Sequence, residues 1–293
     1  MNSAVMKKTM YFFVLPALVF YCIFWIFPIF KLFQYSVTDY NGYVQSFNYV
    51  GLDNFKQLFQ EEVLSISIKN TLIYTAITVI LGNIIALMIA VLLNASISGK
   101  AFYRSAFYIP TLFSAIVVGF IWSYVYMPQE GLIASFLEKI GITTWDTNFL
   151  GSYSKSLYSI IVVDIWKNIG TSVIIFLAGL QTVPHELVEA GKIDGAGKWK
   201  LFRFITLPML ATSVTINITL SVINGLKAFD FPFIMTNGGP GISTNTLIFA
   251  MYKMAFTDQL FGKAAALGII SFAIIIVITI LCVFTLNKKE VSA

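Results

Sequence analysis

Gly195-Ala196-Gly197-Lys198 invites a chemical reading first, because a glycine-rich turn ahead of a lysine can cradle phosphate. The phosphate-loop pattern also needs a glycine five residues before the second glycine and a Ser or Thr after the lysine. Lys192 and Trp199 stand there instead, so the chain carries no phosphate loop. His185 is the single histidine, and Cys22 and Cys282 sit inside apolar blocks without metal-ligand spacing. A membrane protease or transferase would need a nucleophile–base pair or paired acids, whereas the apolar blocks hold one carboxylate, Asp164, and no histidine. The expectation is a chain that is no enzyme and holds no cofactor or metal of its own.

A second set of polar residues lies inside apolar stretches. Asp164, Lys167, Asn168 and Thr171 share one helical face, being spaced i, i+3, i+4 and i+7. Ser213, Asn217, Ser221 and Asn224 fall within about 80° of one another on a second helix. Two readings stand side by side. The stripes line a route for a hydroxyl-rich solute, with Trp166 or Phe229 against its apolar faces, or they bond helices together. Asp164 and Lys167 would also neutralise each other, and Lys227 would snorkel outward beside Asp230.

The elements that must hold these residues are membrane spans. The chain has 293 residues, 58% hydrophobic and 11% charged, far below the roughly 25% of soluble domains. Apolar blocks near the roughly 20 residues a bilayer demands fall at 10–30, 71–93, 106–127, 157–180, 209–228 and 264–286. Lys7-Lys8 ahead of the first block resembles a signal peptide, but the block is too long and no A-x-A site follows, so it reads as an uncleaved span. The reading is one transmembrane domain over 1–293, all-α and polytopic. Ten Lys and Arg lie on the side holding both termini, 94–105 and 181–208; seven lie on the longer opposite loops 31–70, 128–156 and 229–263. Positive-inside bias makes the first side cytoplasmic. The +5 charge therefore reports topology, not nucleic acid. In the first outer loop, residues 49–55 read as a turn leading into a short helix with Phe55, Leu58 and Phe59 on one side; Asn237-Gly238-Gly239-Pro240-Gly241 reads as a flexible outer connection.

The loop over 182–208 reads as a helix pair. Pro184 suits a first turn, and Glu186 and Glu189 suit the positive helix end. Gly195 and Gly197 break the helix, and a second short helix spans 198–204. This segment resembles the cytoplasmic EAA loop of ABC importer permeases, through Glu189-Ala190-Gly191, Asp194-Gly195-Ala196, Phe202, Ile205 and Leu207-Pro208, with Gly191 replacing the usual second Ala. Residues 47–55, Asn70-Thr71, Gly99-Lys100, Arg104, Pro110, 131–133 and 236–240 resemble the maltose-type first permease of sugar importers. The resemblance implies a type I ABC importer permease in the cell membrane. It implies a second homologous permease subunit, two ATPase subunits binding ATP and Mg, and an external solute-binding protein delivering a sugar or oligosaccharide. Glu189, Ala190, Gly191, Asp194, Gly195, Ala196 and Gly197 would couple to the ATPase. Asp164, Lys167, Asn168, Asn217, Ser221 and Asn224 are the candidate route residues. The competing expectation is a stand-alone carrier or channel, against which the absence of an internal repeat argues.

Overall fold

The computed structural model describes residues 13–44, 46–95, 98–142 and 145–290, without the side chains of 287–290. Lys7, Lys8, the start of the first expected span and the side chains of Lys288 and Lys289 lie outside the described residues. Among those described there is no strand, only a lone antiparallel bridge between Thr38 and Tyr49. The helices are α1 (Phe13–Ser36), α2 (Asp53–Gln60), α3 (Glu62–Asn94), α4 (Lys100–Leu112), α5 (Ala115–Val125), α6 (Leu132–Lys139), α7 (Ser156–Gln181), α8 (His185–Ile193), α9 (Lys198–Met209), α10 (Ala211–Leu226), α11 (Leu247–Phe256) and α12 (Phe261–Glu290). Helices α1, α3, α7 and α12 are each long and apolar enough to cross a membrane.

Two helix pairs are sharply bent, one along the expected span 106–127 and one where the expected loop 182–208 enters the expected span 209–228. Helices α4 and α5 meet at 99°. Pro110 removes a donor inside α4, the chain is extended at Phe113 and Ser114, and Ser114 Oγ accepts from Val117 N at 3.3 Å to start α5. Helices α9 and α10 meet at 69°. Pro208 lacks the N–H that would continue the ladder, the backbone loosens into a π turn over Phe202–Thr206, and Leu210 ends the helix. Helix α9 thus outruns the expected end at 204.

The chain divides into two compact units, Met1–Leu64 with Ala250–Phe272, and Ser65–Phe249 with Ala273–Ala293. In the first unit the Asn54 amide donates to Ser36 O at 2.9 Å and Thr38 O at 2.8 Å, tying α2 to the end of α1. Glu61 pairs with Lys263. Asp39 accepts from Asn48 N at 2.6 Å and from the Asn48 amide, which hold its carboxyl below the usual range. Leu58 is fully buried but Phe59 is 71% exposed, so the packed side of α2 is narrower than expected.

In the second unit, close backbone approach does the packing, because lipid tails are as apolar as the side chains and the hydrophobic effect no longer drives helices together. A Cβ on Gly170 of α7 would lie 2.8 Å from Tyr108 Cα of α4, and one on Gly225 of α10 would lie 2.9 Å from Thr75 Cα of α3. Hydrogen bonds reinforce the contacts, as from Thr111 Oγ1 to Lys167 O at 2.9 Å. One apolar core joins Tyr74, Val118, Ile160, Val163 and Phe231; another joins Ala86, Ala90, Val173, Phe176 and Leu210.

Candidate functional site

The loop after α7 forms a compact helix pair. Gly195 has a left-handed φ of +78°. Its N–H donates to Lys192 O at 3.0 Å, and Ala196 N donates to Gly191 O at 2.9 Å. Those two bonds make a Schellman close of α8, which satisfies carbonyls the helix end would otherwise orphan. Gly197 has an ordinary φ of −68° and no atom within 4 Å of a Cβ built on it. The turn therefore requires one glycine, not the expected two. Gly191 has a different part: a Cβ there would come within 2.6 Å of Leu201 Cδ2 and 2.9 Å of Ile205 Cδ1, so α8 rests directly on α9. Glu189, Ala190, Asp194, Gly195 and Gly197 are exposed, while Gly191 and Ala196 are partly covered. Ile193 and Trp199 stand out at 86% and 73% exposure, apolar tips on a charged loop.

Leu210 connects this pair to the membrane helices. It is fully buried and packs with Phe176, Leu177 and Leu180 of α7. From that bend α10 carries its polar stripe against the stripe of α7. The two stripes meet in a cavity of about 120 Å³ lined by Thr78, Asp164, Asn168, Thr171, Ser172, Asn217, Ser221 and Asn224. A second cavity of about 290 Å³ is lined by Tyr74, Asp164, Lys167, Asn168, Asn224, Lys227, Phe229 and Asp230. All six candidate route residues line one cavity or the other.

Their individual roles differ from expectation. The Asn168 amide donates to Asp164 Oδ1 at 2.7 Å, while its own oxygen faces Lys167 Nζ at 3.4 Å. Asn168 stands between the two charges, so Asp164 and Lys167 form no direct ion pair. Asn217 is 1% exposed and donates to Ser172 O at 3.2 Å, which bonds α10 to α7. Lys227 and Asp230 line the second cavity without pairing to each other. Trp166 turns away, edge-on to Trp122 at 5.4 Å, and lines an apolar groove instead. Phe229 does line the second cavity.

A third polar stripe, on α3, escaped the sequence reading. Thr71, Thr75 and Thr78 are buried and donate to the carbonyls of Ser67, Thr71 and Tyr74. Asn83 donates to Val79 O at 2.8 Å and Ser221 Oγ at 3.1 Å, just after a π turn over Thr78–Gly82. The signal was present: an Asn in an apolar run must find a partner. Among the described residues no group of His, Cys, Asp and Glu could hold a metal.

Residues 82–288 match the family described as "Binding-protein-dependent transport system inner membrane component". The chain belongs to that family. The permease is 33% identical over 282 residues to the multiple sugar-binding transport system permease protein MsmF of Streptococcus mutans, with 95% of each chain covered. It is also 33% identical over 275 residues to the sn-glycerol-3-phosphate transport system permease protein UgpA of Yersinia pestis, covering 92% of this chain and 91% of that one. Its fold is that of a bacterial ABC transporter crystal structure involved in import of the acidic polysaccharide alginate, with a TM-score of 0.85 over 97% of this permease and 96% of that chain at 22% identity. It is therefore a multi-pass inner-membrane permease component of an ABC importer, an all-α transport subunit and not an enzyme.

Proposed function

We propose that this permease pairs with a second, homologous permease to carry a sugar or oligosaccharide delivered by an external solute-binding protein. Two ATPase subunits, holding ATP and Mg, dock on the exposed pair α8 and α9 through Glu189, Ala190, Gly191, Asp194, Gly195, Ala196 and Gly197. The spans number six when the bent pair α4–α5 counts as one and α10 as another, with both termini and the 182–208 loop, α9 included, in the cytoplasm, as the basic residues favour. The observation that carries this reading is the continuity at Leu210. A rigid, exposed helix pair runs through one buried bend into the helix that supplies Asn217, Ser221 and Asn224 to the cavity.

The chemistry of the cavities supports a polyhydroxylated solute. Amides and hydroxyls offer donors and acceptors in pairs, as sugar hydroxyls do, and Phe229 offers an apolar face. Uptake of a panel of labelled sugars, with sn-glycerol-3-phosphate included, in cells lacking this gene and in complemented cells tests the assignment. One or more sugars should depend on the gene. Complementation by Asn224→Leu should raise the KM for that sugar about tenfold or more, the cost of an unpaired buried polar contact. Dependence confined to sn-glycerol-3-phosphate, or an unchanged KM, would overturn the sugar route.

A further inference from the structure

The segment after α10 holds a polar structure that the transport reading does not use. Residues 237–246 look like a surface turn in sequence, yet Thr244, Asn245 and Thr246 are at most 2% exposed. A buried loop must bond its backbone groups internally, and here helix α3 supplies the partners. The Asn70 amide donates to Ser243 O and Asn245 O, both at 2.9 Å. Thr71 Oγ1 accepts from Leu247 N at 2.9 Å and donates to Ser67 O at 2.7 Å. On the far side, Thr246 Oγ1 donates to Ala228 O at 2.6 Å, and Ser243 meets Ser156 of α7 at 3.2 Å.

Ala228 begins the wall of the second cavity, which continues through Phe229, Asp230 and Phe231. The loop also bonds to the residue after that wall through Gly238 N to Pro232 O at 3.1 Å, and Phe249 of α11, just beyond the loop, lies with its ring 6.4 Å from that of Phe229. A chain of contacts thus runs from Asn70 and Thr71, through residues 243–247, to the residues facing the solute. Nearly every link is a hydrogen bond. Thr71 and Thr246 are fully buried, so losing one of these bonds leaves its partner unpaired and weakens the link as a unit.

We propose that Asn70 and Thr71 are positioning residues that latch the 237–246 loop, and that the latched loop fixes the Ala228–Phe231 wall and closes the second cavity on the outer side. The proposal rests on the reading of that cavity as the solute route. Releasing the latch opens the cavity to outside reagents.

The test uses the full transporter complex in proteoliposomes, with Cys22 and Cys282 replaced by Ser and a single reporter, Asn224→Cys, in the cavity. Membrane-impermeant MTSET is added from outside. Thr71→Val, which keeps the shape and loses both hydrogen bonds, should raise the labelling rate about fivefold or more, the equivalent of one ordinary hydrogen bond. Thr71→Ser, which keeps the hydroxyl, should restore the parental rate, and Asn70→Asp, which loses both donors, should behave as Thr71→Val does. A control reporter, Leu177→Cys in the core, should stay unlabelled throughout. Equal rates for Thr71→Val and Thr71→Ser overturn the latch, as does parallel labelling of Leu177→Cys, which would mark general loosening. Absence of Asn224→Cys labelling in every variant, with and without ATP, overturns the route reading itself. The two failures are therefore distinguishable.

Discussion

Gly195 and Gly197 stand two residues apart in the same turn and answer to different physics. The φ of +78° at Gly195 is a conformation in which any side chain is strained, whereas Gly197 sits at an ordinary angle beside open space. Gly195→Ala should cost the turn about 1 kcal/mol. Hydrogen exchange at the Gly195 and Ala196 amides, whose bonds close α8, should speed up several-fold, and Gly197→Ala should leave it unchanged. Equal protection in both variants would count against the Schellman close. Any loss of ATPase binding in Gly197→Ala would then belong to the docking face and not to folding. The polar residues divide in a similar way. Asn217 is buried and spends its amide on Ser172 O, so it bonds helices together, while Asn224 faces both cavities. One stripe thus holds an Asn that bonds two helices at the edge of one cavity and an Asn that opens onto both.

At the scale of elements, α7 is the post on which the second unit is assembled. Gly170 lets α4 approach until Tyr108 Cα is 2.8 Å from where a Cβ would stand, and the obstacle is backbone that cannot rotate away. Gly170→Leu should therefore force α4 off α7, break the bond from Thr111 to Lys167 O and cost about 1–3 kcal/mol. The midpoint of thermal unfolding of the assembled complex in detergent should fall by several degrees. Gly82→Ala, whose nearest neighbour is 3.9 Å away, should leave it unmoved. The elements were legible from sequence wherever local chemistry decides them. The 3.6-residue period exposed the stripes of α7 and α10, and the glycines exposed the turn after α8. The stripe of α3 stayed hidden because Thr71, Thr75 and Thr78 satisfy their hydroxyls on their own helix, so threonine reads as nearly apolar there. The bend between α4 and α5 stayed hidden because Pro110 alone does not say whether a helix kinks or stops. The burial of 244–246 stayed hidden because the preceding Asn-Gly-Gly-Pro-Gly is turn chemistry in any setting, and the loop's partner Asn70 lies 173 residues from Ser243.

At the scale of the whole molecule, the exposed helix pair and the polar cavities sit at opposite ends of a continuous path through Leu210. A charge reversal at one end should therefore silence the other without altering it. Glu189→Lys should leave the permease assembled and its cavity intact. It should lower co-purification of the ATPase and the rate of sugar uptake about tenfold or more, as expected for a misplaced charge at a docking face. Retention of both in a correctly assembled complex would count against the coupling role. The α8–α9 pair has one more consequence. Its turn is closed by its own backbone, and Gly191 seats one helix on Leu201 and Ile205 of the other, so its shape owes nothing to the residues that line the cavities. The helix pair and the lining of the cavities are thus written largely in separate stretches of the gene. On the proposed route, substitution around Asn224 would change what is carried while the docking pair keeps its shape.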